Sequence, residues 1–78
     1  MRVHWFLATR LGWDKKQDVV WFEDTYTKDE AIAEFRPVEK ETLKANNRWY
    51  PYTAYEYDGV QYHDFEYMGE CDFEDLPR

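Results

Sequence analysis

Two histidines and one cysteine, His4, His63 and Cys71, are the side chains best suited to metal or covalent chemistry. His63 lies beside Asp64 and near Glu66. Successive strand residues point to opposite faces, so His63 and Asp64 cannot both turn to one ion. Neither C-x-x-C nor H-x-x-x-H spacing occurs, and two imidazoles with one thiol make no credible zinc site or triad. Both histidines are therefore read as structural. Cys71 stands between Glu70 and Asp72, and neighbouring carboxylates disfavour a thiolate, so it is a poor nucleophile. Glycines 12, 59 and 69 are scattered and make no phosphate loop. The expectation is a protein that is not an enzyme, with no cofactor and no metal.

The acidic residues carry a stronger signal. Residues 1–48 hold nine Lys/Arg and nine Asp/Glu, whereas residues 49–78 hold eight acids against Arg78 alone. The whole net charge of −7 thus comes from the last 30 residues, which also carry six of the seven tyrosines. If one strand runs through residue 74, bulged at Gly69, its even positions put Asp64, Glu66, Glu70, Asp72 and Glu74 on one face. Same-face residues repeat every ~6.8 Å, so the row spans about 34 Å. That is about half the linear charge density of a single nucleic-acid strand. The bland reading is a solvated face that keeps the protein soluble. Concentration of the acids in one segment without lysines, beside Tyr55, Tyr57 and Tyr62, favours a partner-binding face. The candidate binding residues are these three tyrosines and five acids.

The elements that must position them are legible in part. Residues 2–10 and 18–24 are rich in Val, Phe and Trp and read as strands, joined by a polar hairpin loop over residues 11–17. Val3, Trp5 and Leu7 share one face of the first strand and form its expected core side; Arg2, His4 and Arg10 share the other. Thr27 and Glu30 make a T-x-x-E capping box, and Ala31, Ile32 and Phe35 follow at helical spacing until Pro37 stops the helix. Residues 38–45 suggest a further helical turn or two, ended by Asn46 or Asn47. Asp58 and Gly59 form the dipeptide that a two-residue type I′ hairpin demands, pairing Tyr57 with Val60 and Tyr55 with Tyr62. In this hairpin Tyr50, Tyr52, Ala54, His63, Phe65 and Tyr67 are expected on the core side. Trp49, Thr53, Tyr55, Tyr57, Tyr62, Asp64, Glu66 and Met68 are expected on the outer side. Residues 75–78 are expected to fray.

At 78 residues the chain is read as a single domain, 1–78. Leu, Ile, Val and Phe supply only 15 residues, but 16 aromatic residues bury enough area to build a core. The fold class expected is α+β: a small antiparallel sheet in the order β-β-α-β-β, with one main helix packed on one face. A lone cysteine cannot form an internal disulfide, and the apolar run from Trp5 to Ala8 is too short for a signal-peptide core or a membrane span. Cytoplasm is the compartment expected. Net negative charge repels nucleic acid and anionic lipid. The basic residues Arg2, Arg10, Lys15, Lys16 and Lys28 are balanced by nearby acids. Neither direct nucleic-acid binding nor membrane binding is expected.

In small size, hairpin, T-x-x-E-A helix start (Thr27 to Ala31) and acidic, aromatic C-terminal half, the chain resembles small acidic accessory proteins of bacteriophages and mobile elements. Anti-CRISPR proteins and other inhibitors of host nucleic-acid enzymes belong to that group. The resemblance covers the chain as a pattern and carries over no functional residue. It implies an inhibitor that acts in the host cytoplasm by binding a basic, nucleic-acid-handling protein, with DNA mimicry as one mode. The protein would be a monomer or weak dimer. The alternative is a structural or assembly protein whose tyrosines make a homo-oligomer or virion contact.

Overall fold

The computed structural model describes residues 1–12, 14–38 and 54–77. The expected helix over residues 38–45 and the placements of Trp49, Tyr50, Tyr52 and Thr53 fall wholly or largely outside them. The elements are β1 (Arg2–Arg10), β2 (Gln17–Glu23), α1 (Lys28–Ala33), β3 (Arg36–Pro37), β4 (Tyr55–Tyr57) and β5 (Val60–Asp72), followed by a 3-10 turn at Phe73–Asp75. The strands form one antiparallel sheet in the order β2-β1-β5-β4-β3. This corrects the expected α+β class. Among the described residues the fold is mostly β, with five strands and a helix of only six residues. The capping box opens that helix: Glu30 N–H donates to Thr27 Oγ1 at 3.1 Å, and Thr27 N–H donates to Glu30 Oε1 at 2.9 Å. Pro37 then falls on the short strand β3, at the sheet edge where its missing N–H costs least.

The β4–β5 hairpin forms as its turn dictates. Asp58 (φ 52°) and Gly59 (φ 77°) are both left-handed, and Tyr57 pairs with Val60 and Tyr55 with Tyr62. Beyond the hairpin, β5 shifts register against β1 twice. Arg10 pairs with Tyr62 but Thr9 with Asp64, leaving His63 as the extra residue. Phe6 pairs with Tyr67 but Trp5 with Gly69, leaving Met68 as the extra residue beside a glycine at φ 115°. Each extra residue flips the parity of all that follows.

Those flips decide the core. Directly paired residues share a face. Phe6 and Ala8 of β1 therefore lie with Val20 and Phe22 of β2 and with Phe65 and Tyr67 of β5. Tyr62, Val60, Tyr55 and Tyr57 join the same side from before the first bulge. Ala31, Ile32 and Phe35 pack onto it from α1 and the residues after it. Phe6 is fully buried, with ring centroids 5.2 Å from Phe35, 5.4 Å from Tyr67 and 5.9 Å from Phe22 and Phe65. Phe35 and Phe65 stack at 4.2 Å. The core side of β1 is thus the even one, contrary to the expectation from Val3, Trp5 and Leu7, although Val3 is itself buried. β2 and β4 would lie about 14 Å apart in a flat sheet. The rings of Phe22 and Tyr57 meet at 5.3 Å, so the sheet curls around its core.

Candidate protein-binding face

The side of the sheet away from α1 has a composition of its own. By register it carries Val3, Trp5, Leu7 and Thr9 from β1, Gln17, Val19, Trp21 and Glu23 from β2, and Asp64, Glu66, Gly69 and Cys71 from β5. These positions on β1, β2 and β5 include three carboxylates and no cation; Arg36 of β3 reaches the same side through its pairing with Glu56, which is itself opposite Gln61. Trp5 and Trp21 are paired directly. Trp21 is 38% exposed, and Phe73 of the 3-10 turn meets it edge-on at 4.8 Å. Val19, Trp21, Phe73, Leu76 and Pro77 line a groove of about 230 Å³. Of the residues expected to fray, Leu76 is half-buried and its N–H donates to Phe73 O at 3.3 Å.

The sequence-expected binding residues divide. Asp64 and Glu66 are exposed on the helix-free face, opposite Thr9 and Leu7. Glu70 and Asp72 are exposed on the other face, opposite His4 and Arg2. The bulge at Met68 separates the two pairs, so the five carboxylates do not form one row. Arg2 answers both displaced acids, reaching Glu70 at 3.8 Å and Asp72 at 3.9 Å. Glu74 is exposed in the 3-10 turn. Tyr62 is only 3% exposed and belongs to the core; Tyr55 and Tyr57 are half-buried and packed against it. The expected outer tyrosine face is therefore a core face. The aromatic groups that reach the surface on the same side of the sheet as Asp64 and Glu66 come from β2 and the C-terminal turn. The sequence signal for them is indirect: Val3, Trp5 and Leu7 are expected on the core side, and Val19 and Trp21 lie opposite Leu7 and Trp5.

A second concavity, about 550 Å³, opens between β2 and the β4–β5 hairpin, lined among others by Arg10, Asp18, Tyr57, Asp58 and Tyr62. Asp18 Oδ2 accepts from Arg10 Nε at 2.7 Å and from the Tyr62 hydroxyl at 3.0 Å. The Arg10 hydrogen bond holds the Asp18 carboxyl below its usual range, aided by the Tyr62 hydroxyl against the cost of burial. Burial first, then the hydrogen bond to Asp18, pushes the Tyr62 phenol up to about 12. These groups satisfy one another. His4 is also internally engaged: Nδ1 lies 2.9 Å from the Tyr67 hydroxyl and Nε2 3.0 Å from Tyr26 O. Among the described residues no group of three or more His, Cys, Asp or Glu side chains is arranged to hold a metal ion, and no helix is long and apolar enough to cross a membrane. No family model matches the chain, and neither a curated protein nor a solved structure shows significant similarity to it.

Proposed function

We propose that this chain is a non-enzymatic binding protein that engages a basic surface on a nucleic-acid-handling host protein, in the manner of a phage-type inhibitor acting in the host cytoplasm. The observation that carries the reading is the helix-free face. It carries Trp21 and the Val19–Phe73–Leu76 groove on the same side as Glu23, Asp64 and Glu66, with no cation at its β1, β2 or β5 positions. An exposed tryptophan beside an apolar groove supplies an anchor, and tryptophan is enriched at interface hot spots. Carboxylates around it repel nucleic acid and acidic proteins and steer a basic surface toward contact. A protein surface that normally holds phosphates has that character. The single five-carboxylate row is not part of this reading, because the Met68 bulge splits it.

The test is association kinetics with the partner recovered by affinity capture, at low and high salt. Reversing Asp64 and Glu66 to Lys should slow association and flatten its salt dependence. Reversing Glu70 and Asp72, which lie on the other side of the sheet near Arg2, should do so much less. Trp21→Ala should mainly speed dissociation. Wild-type kinetics in the Asp64/Glu66 double variant would overturn the proposal.

A further inference from the structure

Among the described residues, no strand pairs with the outer edge of β2. Bonds just beyond the two ends of the β1–β2 pairing fix its phase: Asp24 N–H donates to Arg2 O at 3.1 Å, and Arg10 N–H donates to Lys16 O at 2.7 Å. Both pairs continue the register that sets Phe22 opposite His4 and Val20 opposite Phe6. Even-numbered residues of β2 therefore turn N–H and C=O toward β1, and odd-numbered residues turn theirs outward. Val19 and Trp21 present their peptide groups on that outer edge, where no strand pairs among the described residues. Natural sheets blunt such edges with lysine, proline or a bulge. The run Val19, Val20, Trp21 has none of these, and its register with β1 is unbroken.

The edge is also one wall of the 550 Å³ cleft; Tyr57, Asp58 and Val60 stand on the other. A strand laid along β2 alternates its side chains. Residues opposite Val19 and Trp21 land on the helix-free face, beside the apolar groove. The residue between them points into the cleft. There Arg10 is already engaged with Asp18, while Asp58 has no ion pair among the described residues.

We infer that β2 is the docking edge for an extended segment of the basic partner, with apolar residues opposite Val19 and Trp21 and a cationic residue between them, facing Asp58. This rests on the binding role proposed above and adds the mode of docking: backbone pairing supplies affinity, and the alternating pockets supply sequence preference. A second copy of the chain is the poorer occupant, because it would bring another net charge of −7 to the same edge.

The probe is a blocked peptide, Lys-Val-Arg-Val-Lys, with a control N-methylated at both valines. Amide hydrogen exchange of the full chain is followed by NMR. In the free protein the Val19 and Trp21 amides should exchange readily, and saturating peptide should slow both by about tenfold or more. The methylated control, which keeps the charge but cannot pair, should leave them fast. Amides already protected in the free protein, equal protection by both peptides, or no protection by either would overturn the inference. If both peptides bind with the same salt dependence and neither protects β2, the edge is not the dock, yet the acidic face still attracts cations. The two ideas therefore fail separately.

Discussion

The Tyr62 hydroxyl donates to Asp18 Oδ2 at 3.0 Å, across 44 residues of sequence. The same oxygen accepts from Arg10 Nε at 2.7 Å. One carboxylate on β2 thus ties together the end of β1 and the start of β5. A phenol expected at an exposed interface instead closes the rim of the core.

That junction sets a pH dependence at both ends of the scale. The Asp18 carboxyl titrates lower in the folded chain, so its stabilisation is present above the unfolded value near 4 and is lost as pH falls through the lower folded value. Tyr62 titrates higher when folded, so its stabilisation is present below about pH 10 and is lost as pH rises toward about 12. Asp18→Asn should flatten the acid limb of stability against pH, and Tyr62→Phe the alkaline limb. Tyr62→Phe should also cost roughly 0.5–1.5 kcal/mol at neutral pH. Urea unfolding across the pH range measures all three effects. A Tyr62→Phe protein with the wild-type alkaline limb would contradict the assignment.

Two glycines hold the register of β5. A side chain at Gly59 or Gly69 would meet nothing within 4 Å, so any cost of substitution is backbone strain at φ 77° and φ 115°. Gly59→Val should cost on the order of 1–2 kcal/mol. Gly69→Val should cost a similar amount or more, because relieving the strain requires the Met68 bulge to move. An unchanged melting temperature for either variant would rule out the turn or the bulge as described.

His4 bridges elements distant in sequence. Tyr26 O can only accept, so Nε2 carries a proton and donates to it, with Glu70 Oε1 3.5 Å from the same nitrogen, while Nδ1 meets the Tyr67 hydroxyl at 2.9 Å. Nitrogen-15 spectra of the ring should show a proton on Nε2. His4→Ala should destabilise by about 1–3 kcal/mol, since it leaves two polar partners in a buried setting. Spectra of the Nδ1–H tautomer would refute the arrangement.

The aromatic core has a centre and a margin. Phe6→Ala removes a fully buried ring and should cost about 3–5 kcal/mol, enough to unfold much of so small a domain. Cys71→Ala, at a half-buried position opposite Val3, should cost packing energy only and leave partner binding intact. Circular dichroism melts separate the two. Metal lost from the purified protein on Cys71→Ala would overturn the second expectation.

What the amino-acid order settled by itself is local. Strand composition placed β1 and β2 to within a residue, Thr27 and Glu30 placed the start of α1, and Asp58 with Gly59 placed the hairpin and its pairs. Each of these rests on hydrogen bonds or backbone angles within a few residues, so the signal lies in adjacent side chains. The bulge at Gly69 was also legible, but its consequence was not. Whether a strand keeps its parity depends on how it pairs with β1, more than 50 residues away, and one extra residue reverses every side chain beyond it. The bulges at His63 and Met68 moved Tyr55, Tyr57 and Tyr62 into the core beside Phe65 and Tyr67, and they parted Asp64 and Glu66 from Glu70 and Asp72. The brevity of α1 and the pairing of Arg36 and Pro37 with β4 were likewise set by contacts far apart in sequence. Tertiary structure thus decided which side of the sheet was core, and by exclusion left Trp21, Asp64 and Glu66 together at the surface.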